Sequence, residues 1–124
     1  MTASREAILE TINSYVSLVA SGTADEILAL YAAGATVEDP IGSEVRTTRE
    51  SIHEFYAVLE DLQQDATLQV AKVGDGQAAF LFELVTKTDD ATYTVAPIDV
   101  MTFDDDAKIT SMRAFWSDED FQVS

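Results

Sequence analysis

The chain has 124 residues, 47% of them hydrophobic, with 7 basic against 23 acidic side chains and a formal net charge of −16. That length sets the expectation of one domain over residues 1–124, long enough to bury about two-thirds of its unfolded surface. The absence of cysteine excludes disulfides and thiol chemistry, the single histidine excludes a multi-histidine metal centre, and the acidic excess disfavours nucleic acid and anionic membrane surfaces as partners.

The first stretch, residues 1–12, carries acidic side chains and no continuous apolar core, so no signal peptide is expected, nor any membrane span, and a cytoplasmic location is the default. Ile8, Leu9, Ile12, Tyr15, Val16 and Val19 recur at helical spacing, with Glu6, Glu10, Asn13 and Ser17 opposite, and Gly22 ends this helix. A second helix opens on the capping box Thr23-Ala24-Asp25-Glu26, carries Ile27, Leu30 and Tyr31, and stops at Gly34. A short strand, Ala35–Glu38, closes at Asp39-Pro40 and leads into a loop. A third helix opens on Thr47-Thr48-Arg49-Glu50 and buries Ile52, Phe55, Tyr56 and Leu59. The remainder reads as antiparallel strands over 66–73, 78–86, 93–103 and 108–116, joined by Gly/Asp turns. Helices followed by a strand meander predict an α+β domain with a pocket between the two layers.

The most unusual residue is Asp99, in the apolar run Val95-Ala96-Pro97-Ile98-Asp99-Val100-Met101. Alternation puts it on one face with Val95, Pro97, Met101 and Phe103. An ionised carboxylate is too costly to bury unpaired, so it finds a partner or stays protonated, and a protonated acid donates a hydrogen bond. A structural ion pair with Arg113 on the next strand is the competing reading, and the unknown register leaves both open. Asp39 beside Pro40 is either a turn opener or a catalytic carboxylate. Tyr15, Tyr31 and Tyr56 lie on apolar helix faces and need hydrogen-bond partners if buried. Phe55, Phe82, Met101, Met112 and Trp116 are candidate cavity walls. His53, flanked by Glu50 and Glu54, reads as an exposed helix residue, and Asp104-Asp105-Asp106 as a solvated turn rather than a calcium loop.

The stretch Ala35-Thr36-Val37-Glu38-Asp39-Pro40-Ile41-Gly42-Ser43-Glu44 resembles the signature loop of the bacterial Δ5-3-ketosteroid isomerases. Val95–Asp99, Tyr15-Val16 and Ser111–Trp116 extend the resemblance over nearly the whole chain, in the same order. It implies a cone-shaped NTF2-like/cystatin-like fold, three N-terminal helices packed on a curved, mostly antiparallel sheet, usually a homodimer. It implies cofactor-free isomerisation of a 3-oxo-Δ5-steroid to the conjugated 3-oxo-Δ4-steroid. Asp39 matches the family's general base. Tyr15 and Asp99 match its oxyanion donors, the aspartate being held protonated in that family. Tyr31 and Tyr56 match a supporting tyrosine network, and Phe55 and Trp116 match apolar residues near the substrate. The alternatives are another enzyme of the same superfamily, of epoxide hydrolase or polyketide cyclase type, or a non-catalytic steroid or lipid binder.

Overall fold

Helical periodicity at the N-terminus produces α1, Arg5–Ser21, in the computed structural model, which describes residues 2–124. Ser4 caps it by accepting from the Ala7 amide at 3.1 Å, and Ile8, Ile12, Tyr15, Val16 and Val19 form its buried stripe. The Thr23 capping box starts α2, but this helix spans only Ala24–Leu28. Leu30 lies in a turn, and Tyr31 opens β1 (Tyr31–Glu38) instead of continuing the helix. The cause is tertiary. The Leu30 carbonyl accepts from Ile109 at 2.9 Å, and Tyr31 pairs with Ile109 in a parallel ladder that overrides a weak helix preference. Gly34, expected as a helix stop, sits within the strand at φ +77°, where its missing Cβ permits the bulge.

The third helix, α3, spans Arg49–Glu60 and is capped by Thr48, one residue after the expected Thr47, with Ser51 completing the box in place of Glu50. Arg49 at its start donates to the carbonyls of Leu28, Tyr31 and Ala32, joining α2, β1 and α3.

The other strands are β2 (Gln63–Gly74), β3 (Gln77–Lys87), β4 (Thr92–Val95), β5 (Ile98–Phe103), β6 (Ile109–Phe115) and β7 (Gln122–Val123). Their order is β1-β6-β5-β3-β4-β7, with β2 on the other side of β3. Only β1–β6 is parallel; the rest of the sheet is antiparallel. The β2–β3 hairpin turns on Asp75 and Gly76, at φ 49° and 71°, as a two-residue turn matching strand twist requires. The strand expected across 93–103 is two strands, because Pro97 has no N–H to give the ladder. Its carbonyl instead accepts from Phe82 at 3.4 Å. Both halves pair with β3, so the alternation survives the break, and Val95, Pro97, Asp99 and Met101 are all buried on one face. The short helix Asp118–Asp120 and β7 were not foreseen; they bring the C-terminal segment back onto β4. With α1 packed on β2 and α3 beside β1, the helices cover the face toward which Asp99 points.

Candidate active site

Register settles the surroundings of Asp99. It lies opposite Phe80 on β3 and Ala114 on β6, is 1% exposed, and its Oδ1 has no hydrogen-bond partner among the described residues. Arg113 pairs with Val100 instead, one residue out of phase, and is exposed with its guanidinium 5.6 Å from the Phe115 ring centre. The ion-pair reading of Asp99 is therefore overturned. Burial pushes the Asp99 carboxyl well above the ordinary aspartate range, and the nearby Asp39 charge pushes it further the same way. Both effects favour the neutral acid, the form that can donate a hydrogen bond.

Two helices and one strand deliver the tyrosines to one place. Tyr15 comes from α1, Tyr31 from β1 and Tyr56 from α3, all buried. The Tyr56 hydroxyl lies 2.9 Å from that of Tyr15 and 2.6 Å from that of Tyr31. Burial raises all three phenols well above their usual range, so each keeps its proton. If Tyr31 donates to Tyr56 and Tyr56 to Tyr15, the Tyr15 proton is left for a ligand, and each accepted bond strengthens the next donor. Tyr56→Phe removes both bonds. The expected cost is about 2 kcal/mol of stability, at ~1 kcal/mol per bond, measured by urea unfolding, with Tyr31→Phe costing about half as much.

Asp39 follows the last residue of β1, in a loop tied down on two sides. The Ile41 amide donates to the Ala114 carbonyl at 2.8 Å, and Val37 and Arg46 exchange backbone bonds of 3.0 and 2.8 Å. The Asp39–Pro40 peptide is cis. Asp39 Oδ1 accepts from Trp116 Nε1 at 2.7 Å. Burial raises the Asp39 pKa and this bond lowers it, with burial the larger effect. Trp116→Phe removes the lowering contribution. The acid limb of any activity that needs ionised Asp39 should then move to higher pH, which a pH–rate profile reads directly.

The side chains converge on an apolar cavity of about 260 Å³. Tyr15, Asp39, Tyr56 and Asp99 line it, with Phe55, Phe82 and Trp116 among its walls. Met101 and Met112, expected there, are fully buried in the core and do not reach it: packing beneath the sheet, not the cavity, takes their flexible side chains. Tyr31 stands behind Tyr56 and supports it without lining the cavity. Sequence reading missed Gln64, Thr86 and Phe121. Phe121 packs edge-on against Trp116 at 5.4 Å. Its signal was a lone aromatic in an acidic tail. A larger groove of about 770 Å³ between α1 and β2 is walled by Asn13, Ser17, Asp65 and Thr67 and contains none of the four titratable groups.

Residues 12–112 match the SnoaL-like domain family, a span that contains Tyr15, Asp39 and Asp99. A steroid Δ-isomerase from Nocardioides simplex is 46% identical over 110 residues, 89% of each chain. The chain belongs to the steroid Δ-isomerase family. Solved structures share its fold. The Δ5-3-ketosteroid isomerase from Mycobacterium sp. superposes with a TM-score of 0.84 at 21% identity, covering 95% of this chain and 98% of that one. SalBIII, an epoxide hydrolase/cyclase-like enzyme of pyran ring formation in the polyether salinomycin, gives 0.88 at 24% identity, covering 96% and 97%. Members of one fold thus carry different chemistries, and the side chains in the cavity have to decide between them.

Proposed function

We propose that this steroid Δ-isomerase family member converts 3-oxo-Δ5-steroids to 3-oxo-Δ4-steroids, with Asp39 as base and Tyr15 and Asp99 as oxyanion donors. The observation that carries the assignment of roles is Asp99: a buried carboxyl with no cation beside it, in the same apolar cavity as a second carboxyl and a tyrosine chain. Ionised Asp39 takes the proton from C4. The freed electron pair forms the C3–C4 double bond and the carbonyl π electrons move onto oxygen, giving a dienolate. Asp39 then returns the proton to C6. The oxygen charge collapses to the ketone and the double bond settles between C4 and C5. One carboxylate serves both carbons because they lie on the same edge of a rigid ring system. Tyr15 and protonated Asp99 donate to the oxygen as its charge grows, and such donors act strongly because they are fixed in place before the reaction.

Phe55, Phe82 and Trp116 supply apolar area against the rings. The water-holding Asp-Arg-Asp arrangement of an epoxide hydrolase has no support, since no arginine lines the cavity. Arg46 is engaged with the Ser51 carbonyl and the Phe55 ring, and Arg113 is on the outer face. A homodimer belongs to the same proposal. Ile98 and Phe115 lie opposite each other across β5 and β6, and both are exposed on the outer face of the sheet, an apolar patch suited to a second copy. The decisive assay is the rise in ultraviolet absorbance of a conjugated enone from 5-androstene-3,17-dione. No rise with the folded protein would overturn the proposal.

A further inference from the structure

Gln64 and Thr86 form the one polar cross-strand pair in an otherwise apolar end of the cavity. The Gln64 amide nitrogen donates to Thr86 Oγ1 at 2.9 Å. Gln64 is 8% exposed, and its carbonyl oxygen is buried with no hydrogen-bond partner among the described residues. A buried acceptor without a donor is a standing cost unless something supplies one. Thr86, having accepted from Gln64, still has a hydroxyl proton to give. The pair therefore offers one acceptor and one donor side by side.

Their position fits the remote end of a bound steroid. On β3, Phe80 lies opposite Asp99 and Thr86 lies opposite Gln64. Six residues of strand separate these rungs, at most about 20 Å at ~3.3 Å per residue. Roughly 10–12 Å separates the terminal oxygens of a four-ring steroid with carbon–carbon bonds of ~1.5 Å. A hydrogen bond of about 2.8 Å at each end extends this to roughly 16–18 Å. Leu59, Leu62 and Leu84 line the same cavity and suit the rings.

Resting on the isomerase reading above, we infer that Gln64 and Thr86 form a second polar anchor, which selects steroids bearing a hydroxyl at C17, the ring end remote from the 3-ketone. A hydroxyl donates to Gln64 Oε1 and accepts from Thr86. A ketone there uses only the Thr86 donor. An unsubstituted ring end leaves both groups unpaired, the situation in which sites built for a hydroxyl discriminate most.

The test uses binding, which needs no turnover. Saturated 3-oxosteroids with a 17β-hydroxyl, a 17-ketone or no C17 substituent are titrated against the fluorescence of Trp116, the chain's one tryptophan. The wild-type protein should bind the hydroxysteroid about tenfold or more tighter than the unsubstituted one, with the ketone between them. Gln64→Leu should lower the hydroxyl-to-unsubstituted ratio to about that of the ketone, since only the Thr86 donor remains. Thr86→Val, nearly equal in volume and a check against misfolding of the first variant, should lower that ratio and abolish the ketone's advantage. Equal wild-type affinities, or a ratio unchanged from wild type in either folded variant, would overturn the anchor. Failure of the wild type to isomerise any Δ5 substrate overturns the isomerase reading instead, and the affinity ratios still decide the anchor.

Discussion

Asp39→Asn should lower kcat for steroid isomerisation by about 10⁴-fold, the upper range for loss of a positioned general base, while steroid affinity stays close to wild type. The amide keeps the shape of the side chain and can still meet the Trp116 indole, through its oxygen, so the wall of the cavity survives. What disappears is the only function that a carboxylate has and an amide lacks, accepting and returning a proton. The wild-type pH dependence carries the same signature. Burial raises the Asp39 pKa, so the reactive ionised form is lost as pH falls through that raised value, and the acid limb should lie above the usual aspartate range. Measuring kcat by enone absorbance and affinity by fluorescence separates the two quantities. A variant that turns over at near wild-type rate would remove Asp39 from the mechanism.

The inward face of the Asp99 strand was legible in the sequence because side-chain alternation is a local rule. It survived even the chain break at Pro97, since both halves pair with β3. The Arg113 question was not legible. It turned on a one-residue register between strands, and a one-residue change sends every side chain to the other face. Tyr31 failed for a related reason. Its local surroundings favour helix, and only the distant strand around Ile109 draws it into the sheet. The placement of Met101 and Met112 was a matter of depth. Apolar composition marks a residue as inward but does not say whether it meets the cavity or the core behind it. Gln64 and Thr86 escaped notice because neither is unusual alone. They become informative only as opposite residues on two strands, with one oxygen left over.

Asp99→Leu should cost about 10²–10³ in kcat, the usual effect of removing one oxyanion donor, and should make the protein more stable at neutral pH. The two effects have one origin. Folding moves Asp99 among apolar neighbours and raises its pKa well above the ordinary value of 3.8. Between that ordinary value and the raised one, the unfolded chain releases a proton that the folded chain retains. Stability from this group is therefore intact below about pH 4 and falls as pH rises through the interval. Leucine removes the titration together with the unpartnered Oδ1. Its stabilising effect should be greatest at neutral to alkaline pH and should fade toward pH 4, as thermal melts across that range would show. Activity has the same preference for the protonated form. Asp99 donates only while protonated, so the wild-type rate should fall as pH rises through the raised pKa, and the leucine variant should lose that basic limb. A variant that unfolds while its folded fraction keeps full activity would make Asp99 structural. The predicted result is the reverse, a more stable protein with a weaker oxyanion site, because the same burial that costs stability keeps the acid neutral enough to donate.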